Sequence, residues 1–467
     1  MKFKGTWILA LVAIGLGLYV YLIEFKKAAK DEEKKAAEEK IIDFETAKVK
    51  TVTLKNAKGE FVLERDGTSW KLTKPIADKA DDGTINNVLN ALALEKYDDT
   101  IDDADLKNFG LDKPTQSISI TTQDGVTKKV SVGTDAAISG KIYLQRGDEK
   151  KALYANSGIK IQLDKALKDL RNKQILKKSK DDVTHFTMKV NAKDNHGQAS
   201  LTKKDGKWVL DGVGEEADQE VTDTFLKNLV GLNATDFPSE KSGDKTDQKK
   251  FGLNSPELEV TLQGKDNAPL AHVLVSKKDN NAIFVSVEGT PTIFQLFGSA
   301  TDPLLKKPQD FRNKKIPLEF KKEDVADIYV KSSTGEYHLV KKGNSWEQYL
   351  PDDTKNVSQI QVASFLDKMA DLKVADYIES SEKPVGLRPP LGRVILKNVK
   401  NESILDFSWG DRAKVQRNDY AITTKYKNPF TVDASSIAGI PIQTLVENKA
   451  KATPSAVAAA PKGNASK

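Results

Sequence analysis

Cysteine is absent from the 467-residue chain. Its absence excludes disulfides, thiol catalysis, thiolate zinc sites and a lipid-modified N-terminal cysteine. Histidine is scarce, and the four residues form no His-x-x-x-His pair: His185, His196, His272 and His338. We therefore expect no metal site, and each histidine is interpreted as an ordinary strand or loop residue.

Sequence signatures of catalysis are missing as well, because the chain has no Gly-x-Ser-x-Gly, Walker A or His-Glu-x-x-His pattern. Gly212-Val213-Gly214 is only half of a dinucleotide fingerprint. The acidic run from Asp98 to Asp105 lacks the turn glycine and terminal glutamate of a calcium loop, so it is interpreted as a solvated loop ending in a helix cap. We expect no enzyme and no cofactor.

An excess of charge of one sign is also lacking. Lysine and arginine number 73 against 67 acidic residues, and four of the net +6 charges lie beyond the last acid, Glu447. Elsewhere the charges alternate in sign along the chain, whereas a nucleic-acid groove needs basic residues clustered on one face. No nucleic-acid partner is expected.

One long hydrophobic run is present, from Thr6 to Phe25. Its roughly 18 apolar residues just span a hydrocarbon core of about 30 Å at about 1.5 Å per residue. Tyr19 and Tyr21 stand where a signal peptidase would need small residues, and with Trp7 they fit an aromatic belt. A retained transmembrane signal anchor is therefore favoured over a cleaved signal peptide.

The orientation of this anchor is open to two interpretations. Five lysines follow the run and two precede it, which by the positive-inside rule places the large C-terminal region in the cytoplasm. Acidic residues are interleaved with those lysines, and long domains can be translocated despite them. We favour a periplasmic C-terminal region of a protein of the bacterial inner membrane.

Self-similarity is the main organising feature of the chain. Three hairpin signatures end in the equally spaced Trp70, Trp208 and Trp346. A second element, Phe-Gly-Leu-x-x-Pro, places Gly110, Gly252 and, in a more diverged form, Gly386 at matching positions. We interpret these tryptophans and glycines as structural residues of one repeated domain.

Each copy is predicted to contain a strand, a hairpin with a glycine turn, an amphipathic helix, further strands and a closing helix. The helix caps are predicted at Asp81, Asp218 and Ser358. The glycines are predicted to end a short helix in the left-handed conformation, and that helix is predicted to be capped by Asp105, Asp247 or Ser381.

The closing run differs between the copies. Leu-Arg-Asn-Lys at Leu170–Lys173 returns as Phe-Arg-Asn-Lys at Phe311–Lys314, but Leu445–Lys449 has no arginine. Only the copies followed by another copy carry it. We therefore place Arg171 and Arg312 at inter-domain junctions, where a guanidinium can bridge both neighbours and hold them in a fixed arrangement.

The predicted fold class is α+β: an N-terminal transmembrane helix followed by three tandem repeats of a mainly antiparallel sheet-plus-helices domain. The predicted segments are a cytoplasmic N-terminus with the anchor (1–25), a charged helical spacer (26–42), the first copy (43–177), the second copy (178–317), the third copy (318–449) and a disordered Ala/Pro/Lys tail (450–467).

The hydrophobic run, the Asp-Gly-x-x-Trp hairpin, Ala80-Asp81 with Ala217-Asp218, and the Leu-Arg-Asn-Lys run together resemble the bacterial domain-of-unknown-function family 4340. The resemblance implies a single-pass envelope protein, encoded beside ABC transporter components linked to gliding motility or export. It carries over no catalytic residue.

The expected function is a membrane-anchored envelope scaffold or accessory subunit of an ABC-type transport or gliding/export system, acting by protein–protein interaction. The alternative is a cell-wall or polysaccharide binder that uses the aromatic faces of the repeats. An enzyme using carboxylates outside any motif is the third hypothesis.

Overall fold

The computed structural model describes residues 12–21, 39–193, 195–212, 214–350, 356–378, 386–413, 417–426 and 428–447. Antiparallel β-sheet dominates this part of the chain, in one nine-stranded and two eight-stranded sheets. The chain divides into two compact units. Unit 1 comprises Met1–Lys177, Gly231–Phe251 and Lys278–Gly298, and unit 2 comprises Lys178–Val230, Gly252–Lys277 and Ser299–Lys467.

The strands, in chain order, are β1 (Val49–Asn56), β2 (Gly59–Asp66), β3 (Ser69–Lys74), β4 (Asp78–Lys79), β5 (Tyr97–Asp102), β6 (Gln116–Thr122), β7 (Thr127–Asp135), β8 (Lys141–Arg146), β9 (Lys151–Asn156), β10 (His185–Ala192), β11 (Asn195–Lys204), β12 (Lys207–Leu210), β13 (Asp236–Ser239), β14 (Leu258–Gln263), β15 (Pro269–Val275), β16 (Ala282–Val287), β17 (Ile293–Phe297), β18 (Asp327–Ser332), β19 (Gly335–Lys342), β20 (Ser345–Leu350), β21 (Asn356–Val357), β22 (Val374–Tyr377), β23 (Gly392–Lys397), β24 (Ser403–Arg412), β25 (Asn418–Thr423), β26 (Phe430–Asp433) and β27 (Val446–Glu447).

The α-helices are α1 (residues 12–21), α2 (Asp82–Leu94), α3 (Gly158–Leu163), α4 (Leu167–Leu170), α5 (Gln219–Val230), α6 (Lys245–Lys250), α7 (Gln359–Asp371) and α8 (Ala434–Ala438). Short 3-10 helices lie at Thr46–Lys48, Leu106–Phe109, Lys180–Asp182, Lys265–Asn267, Asp302–Leu304, Pro308–Phe311, Ile316–Leu318 and Lys322–Asp324.

The strand order recurs along the chain. The sheet of the first copy, in unit 1, runs β4-β3-β2-β1-β6-β7-β8-β9-β5, and that of the third copy, in unit 2, runs β20-β19-β18-β23-β24-β25-β26-β22. Strands of the second copy follow the same order, β12-β11-β10-β14-β15 in unit 2 and β16-β17-β13 in unit 1. In each complete sheet the opening strand of the copy, β1 or β18, pairs antiparallel with the strand that follows the glycine stop, β6 or β23.

The core of the first copy lies between this sheet and helix α2. Register pairs Val52 with Ile120 and Leu54 with Ile118, and since strand side chains alternate between faces, these four point to one side. The buried face of α2 contains Ile85, Val88, Leu89 and Leu92; that of α5 contains Thr222, Phe225, Leu226 and Leu229; and that of α7 contains Val362, Phe365, Leu366 and Met369. The amphipathic helices expected from the sequence are confirmed.

Two of the three predicted caps on these helices are confirmed. The Asp81 carboxylate accepts from the Thr84 N–H at 2.7 Å, and that of Asp218 accepts from the Val221 N–H at 3.0 Å. Ser358 occupies the equivalent position, but its side chain makes no capping hydrogen bond. The prediction for Ser358 is therefore wrong: the position recurs, but the bond depends on how the side chain is turned.

All three stop glycines have the expected positive φ, at +66° for Gly110, +68° for Gly252 and +76° for Gly386. Asp105 caps the turn before Gly110, through the Lys107 N–H at 3.2 Å. In the second copy the cap is Asp244 instead, so the prediction of Asp247 is wrong. The longer helix α6 begins one turn earlier there.

Because helix α6 starts after Asp244, the side chain of Asp247 does not cap it. The Asp247 carboxylate accepts a hydrogen bond from the Ser239 hydroxyl instead. In the third copy the predicted cap Ser381 lies outside the described residues.

The acidic run is also different from its interpretation as a loop. Tyr97–Asp102 forms β5 at the edge of the first sheet, paired with β9. Lys141 at the start of β8 and Lys151 at the start of β9 form ion pairs with Asp98 and Asp102, at 2.6 Å and 2.9 Å. Charged side chains suit an edge strand, because they discourage pairing with another chain.

The predicted transmembrane helix is wrong. Residues 12–21 of the Thr6–Phe25 run are helical (α1), and the remainder of that run lies outside the described residues. Within the described ranges, no helix is both long enough and apolar enough to cross a membrane. The α+β class headed by a membrane helix is corrected to a fold of mostly antiparallel sheets carrying short helices.

Candidate functional site

Arg171 follows helix α4 in an extended conformation, with φ −85° and ψ 145°. The closing run pairs here with the segment that leads into helix α2, through a bridge between Arg171 and Ala80 and a hydrogen bond from the Asp81 N–H to the Leu170 carbonyl at 2.9 Å. This backbone pairing fixes the position from which the arginine side chain extends.

The Arg171 side chain is 2% exposed and its donors meet two carboxylates. Nε lies 2.9 Å from Asp78 Oδ2, Nη1 donates to Glu240, and Nη2 donates to the Thr292 hydroxyl at 3.1 Å. The Thr292 hydroxyl donates in turn to Glu240 at 2.8 Å, and the Phe237 ring centroid lies 4.0 Å from the guanidinium carbon. Asp78 belongs to the first copy and Glu240 to the second, so one buried cation bridges both copies within unit 1.

The backbone beside this cluster is paired as well. The Ile175 N–H donates to the Leu232 carbonyl at 3.1 Å, and the Ala234 N–H donates to the Lys173 carbonyl at 2.8 Å. The segment after Arg171 therefore lies against the chain that leads into β13.

Arg312 has the equivalent place after the second copy, and it bridges to Ala217 as Arg171 does to Ala80. Its Nη2 donates to Glu215 at 2.8 Å and to the Tyr426 hydroxyl. Its guanidinium carbon lies 3.9 Å from the Tyr377 ring centroid. In this cluster of unit 2 the guanidinium again lies over an aromatic ring, but Arg312 meets one carboxylate where Arg171 meets two.

Tyr377, in this second cluster, has a raised pKa. Its pKa is raised from 10.0 to about 12, mainly by burial; the charge of Arg312 opposes the rise and the nearby Glu215 adds to it. Its hydroxyl donates to the Asn313 carbonyl at 2.6 Å. The neutral phenol thus serves as a hydrogen-bond donor to the run that carries Arg312.

The third copy has the same backbone pairing without the arginine. Val446 pairs with Val357, and the Ser358 N–H donates to the Leu445 carbonyl at 3.0 Å. These are the positions that Arg171 and Ala80 occupy in the first copy. An apolar side chain therefore stands in the arginine position of the third copy.

The repeated tryptophans are core residues rather than stacking surfaces. Trp70 is fully buried, with its indole N–H donating to Asn86 at 3.2 Å, and Trp208 is 5% exposed. Trp346 is half-buried against the core of the third copy. The prediction that these tryptophans pack on their own domains is confirmed.

Sequence reasoning missed a polar cluster in unit 2 around His185. Nδ1 lies 2.5 Å from Gln263 Oε1, Nε2 lies 3.1 Å from the Ser200 hydroxyl, and Ser200 donates to Asp211 at 2.6 Å. In a catalytic triad the carboxylate holds the ring nitrogen that faces away from the serine. Gln263 has that position here and Asp211 accepts from the serine itself, so the arrangement is not that of a triad.

Two other histidines also face carboxylates across neighbouring strands: His272 lies 2.9 Å from Glu259, and His338 lies 2.8 Å from Asp327. The signal in the sequence is weak, because such pairs appear only once the strand register is known. Over the described ranges, no group of three or more histidine, aspartate or glutamate side chains is placed to hold a metal ion.

Comparison with known proteins gives one match. A family model described as Domain of unknown function (DUF4340) matches residues 70–248 and 239–390. No curated protein matches the chain. No solved structure matches it either.

Proposed function

The chain belongs to the DUF4340 family, and we propose that it is a non-enzymatic scaffold of the bacterial cell envelope that acts by binding other proteins. An ABC-type transport or gliding/export system is the proposed partner, and this part of the proposal rests on the family resemblance.

The observation that carries the proposal is the buried Arg171 cluster. Removing one partner of a buried, hydrogen-bonded ion pair costs about 3–5 kcal/mol, because a charge is left uncompensated. Asp78 and Glu240 are therefore held to the same cation, and with them the segments of the first and second copies that carry them. A binding surface fixed in advance loses less conformational entropy on association.

The Arg312 cluster adds a second, separate support. It joins Glu215 of the second copy to Tyr377 and Tyr426 of the third by the same device, a guanidinium over an aromatic ring. In both clusters one guanidinium contacts residues of two neighbouring copies.

The test is crosslinking and affinity purification of the full chain from its native cells, with quantitative mass spectrometry of ABC transporter subunits. The comparison is between wild type, the double variant R171A/R312A and the matched control R393Q, which removes an arginine from an ion pair with Asp406 in which it is 46% exposed. We expect transporter subunits with wild type and R393Q, and at least several-fold less with the double variant.

Two results would contradict the proposal. Absence of transporter or other envelope proteins above the level of an unrelated tagged protein would remove the partner. Equal recovery by R171A/R312A, with both junctions shown to be loosened, would remove the role of the junctions.

A further inference from the structure

A cleft of about 730 Å³ lies in the first copy, within unit 1. Its walls come from the first turn of helix α2, the start of strand β6 and the segment from α3 to α4 and beyond. A volume of this size lies in the range of small-molecule sites, roughly 300–1,000 Å³.

Gln116 lines this cleft and carries an unused hydrogen-bonding group. The residue is 8% exposed, and its Oε1 is buried with no hydrogen-bond partner in the part of the chain that the structure describes. A buried amide oxygen without a partner costs about 1–3 kcal/mol. The carboxamide borders the cleft, where a ligand can hydrogen-bond to it.

The fold itself does not require a polar residue at this position. Gln116 stands six residues after Gly110 and pairs with Val132. Leu258 stands six residues after Gly252 in the second copy, pairs with Val275, and is fully buried. The same strand is therefore built with an apolar side chain in the second copy, which leaves the carboxamide of the first copy free for another role.

A second buried amide organises the wall of the cleft. Asn56 is 8% exposed, and its Nδ2 donates to the carbonyls of Leu163 and Lys165, each at 2.8 Å. Asn56 pairs with Gly59 of the neighbouring strand. In the second copy the matching glycine, Gly197, pairs with Val190, so a valine stands in the position of Asn56. Asn56 thus fixes the backbone that carries Lys165, and the second copy has no amide side chain at this position.

The acidic groups of the wall are already engaged. Asp164 forms an ion pair with Lys58 at 2.9 Å, and Asp169 accepts from the Ala166 N–H at 2.8 Å. One lysine of the wall, Lys160, is paired as well, with Asp135 outside it.

Two lysines of the wall differ from Lys160. Lys165 and Lys173 line the cleft, and neither ammonium group has a hydrogen bond or ion pair to another described residue. The cleft therefore presents two lysine ammonium groups without an ion-pair partner in the described part of the chain, against the one negative charge of Asp169, beside the buried carboxamide of Gln116.

We propose that this cleft binds an anionic sugar, a molecule carrying a phosphate or carboxylate together with free hydroxyl groups. The acid group binds Lys165 and Lys173, since charge-assisted hydrogen bonds are the stronger class. A hydroxyl binds the carboxamide of Gln116, because it can donate to an amide oxygen or accept from an amide nitrogen, whichever faces the cleft.

The test is isothermal titration calorimetry on the full chain with four probes: glucose 6-phosphate, glucuronate, glucose and inorganic phosphate. We expect saturable binding of at least one of the two anionic sugars, about tenfold or more tighter than glucose or phosphate. The phosphate ester and the carboxylate arms distinguish which acid group is preferred.

Three variants locate the binding. K165Q/K173Q and Q116L, the latter introducing the residue of the second copy, are each expected to weaken binding about tenfold or more. K129Q removes an exposed lysine of strand β7 outside the cleft and is expected to leave the affinity unchanged. Thermal melting establishes that each variant is folded.

The proposal is overturned if neither anionic sugar binds saturably, or if binding is equally strong in K165Q/K173Q. Phosphate binding as tight as that of glucose 6-phosphate, unaffected by Q116L, would overturn the sugar assignment.

Discussion

Arg171 and Arg312 occupy equivalent positions, but their surroundings differ in charge. Arg171 meets two carboxylates and a phenylalanine ring, whereas Arg312 meets one carboxylate and two tyrosines. Since the cost of losing a buried cation depends on the anions left behind, the two arginines are not energetically equivalent.

For R171A we expect the free energy of unfolding to fall by about 3–5 kcal/mol, because Asp78 and Glu240 are left without their cation. The surface control R393Q is expected to change it by less than about 1 kcal/mol. Urea denaturation followed by circular dichroism measures both. A value for R171A within the range of R393Q would show that the buried pair adds little.

Tyr377 makes stability depend on pH in the alkaline range. Its pKa in the folded state, about 12, lies above the ordinary 10.0, so on raising the pH the unfolded chain loses the proton first. The stabilising contribution is full below pH 10 and is lost as the pH rises towards 12.

In Y377F this contribution is absent, so between pH 10 and 12 the denaturation midpoint of wild type should fall more steeply than that of the variant. Urea melts at several pH values, with ultraviolet titration of the tyrosines, provide the measurement. Parallel curves for the two proteins would contradict the assigned shift.

At the scale of the element, the amphipathic helix recurs in all three copies but differs between copies in its N-terminal cap. Helices α2 and α7 are each 13 residues long with four buried residues, but Asp81 caps α2 through its side chain and Ser358 does not cap α7. A capping hydrogen bond satisfies one of the otherwise unpaired first-turn N–H groups.

D81A is accordingly expected to lower the free energy of unfolding by about 1 kcal/mol, and S358A by only a few tenths. The two substitutions occupy the same place in two copies, so each serves as the other's control in urea denaturation. Equal losses would mean that Ser358 caps its helix in solution.

At one pair of facing residues in the sheet, the third copy has a smaller side chain on one strand and a larger one on the other than the first copy has. The first copy pairs Gln116 with Val132, and the third copy pairs Gly392 with Trp409 at the matching position. A Cβ on Gly392 would lie 1.9 Å from the indole of Trp409. The large ring is possible only because its partner has no side chain, and the glycine is needed for that close approach.

At the scale of the whole molecule, the segments that precede the first and second copies pair with those copies through matching backbone hydrogen bonds. The Ile41 N–H donates to the Glu95 carbonyl, and the Tyr97 N–H to the Glu39 carbonyl. The segment Lys173–Ile175 makes the matching bonds to Leu232 and Ala234. The first copy and the part of the second copy that lies in unit 1 thus pair with the chain that precedes each of them through the same backbone positions, and the junction is an extension of that pairing.

Loosening the junction should be visible as local amide exchange. In R171A we expect the amides of Ile175 and Ala234 to exchange about tenfold faster or more, while those of strand β6 in the core of the first copy stay protected. Hydrogen exchange with mass spectrometry measures both regions, and R393Q is the matched control. Uniform acceleration across the first copy would instead indicate global destabilisation.

The sequence by itself determined the local features: the positive φ of Gly110, Gly252 and Gly386, the buried faces of α2, α5 and α7, and the caps at Asp81 and Asp218. Each depends on residues within a turn or two, where propensity and periodicity act directly.

Only the tertiary structure decided the rest. The partners of Arg171 lie 69 and 121 residues away in Glu240 and Thr292, and no local pattern encodes that proximity. The acidic edge strand β5 exists because β9 pairs with it. The cleft beside Gln116 arises where α2, β6 and α3 meet. The physical reason is that such contacts depend on strand register and on packing between distant segments, which the alternation of residues along one strand does not specify.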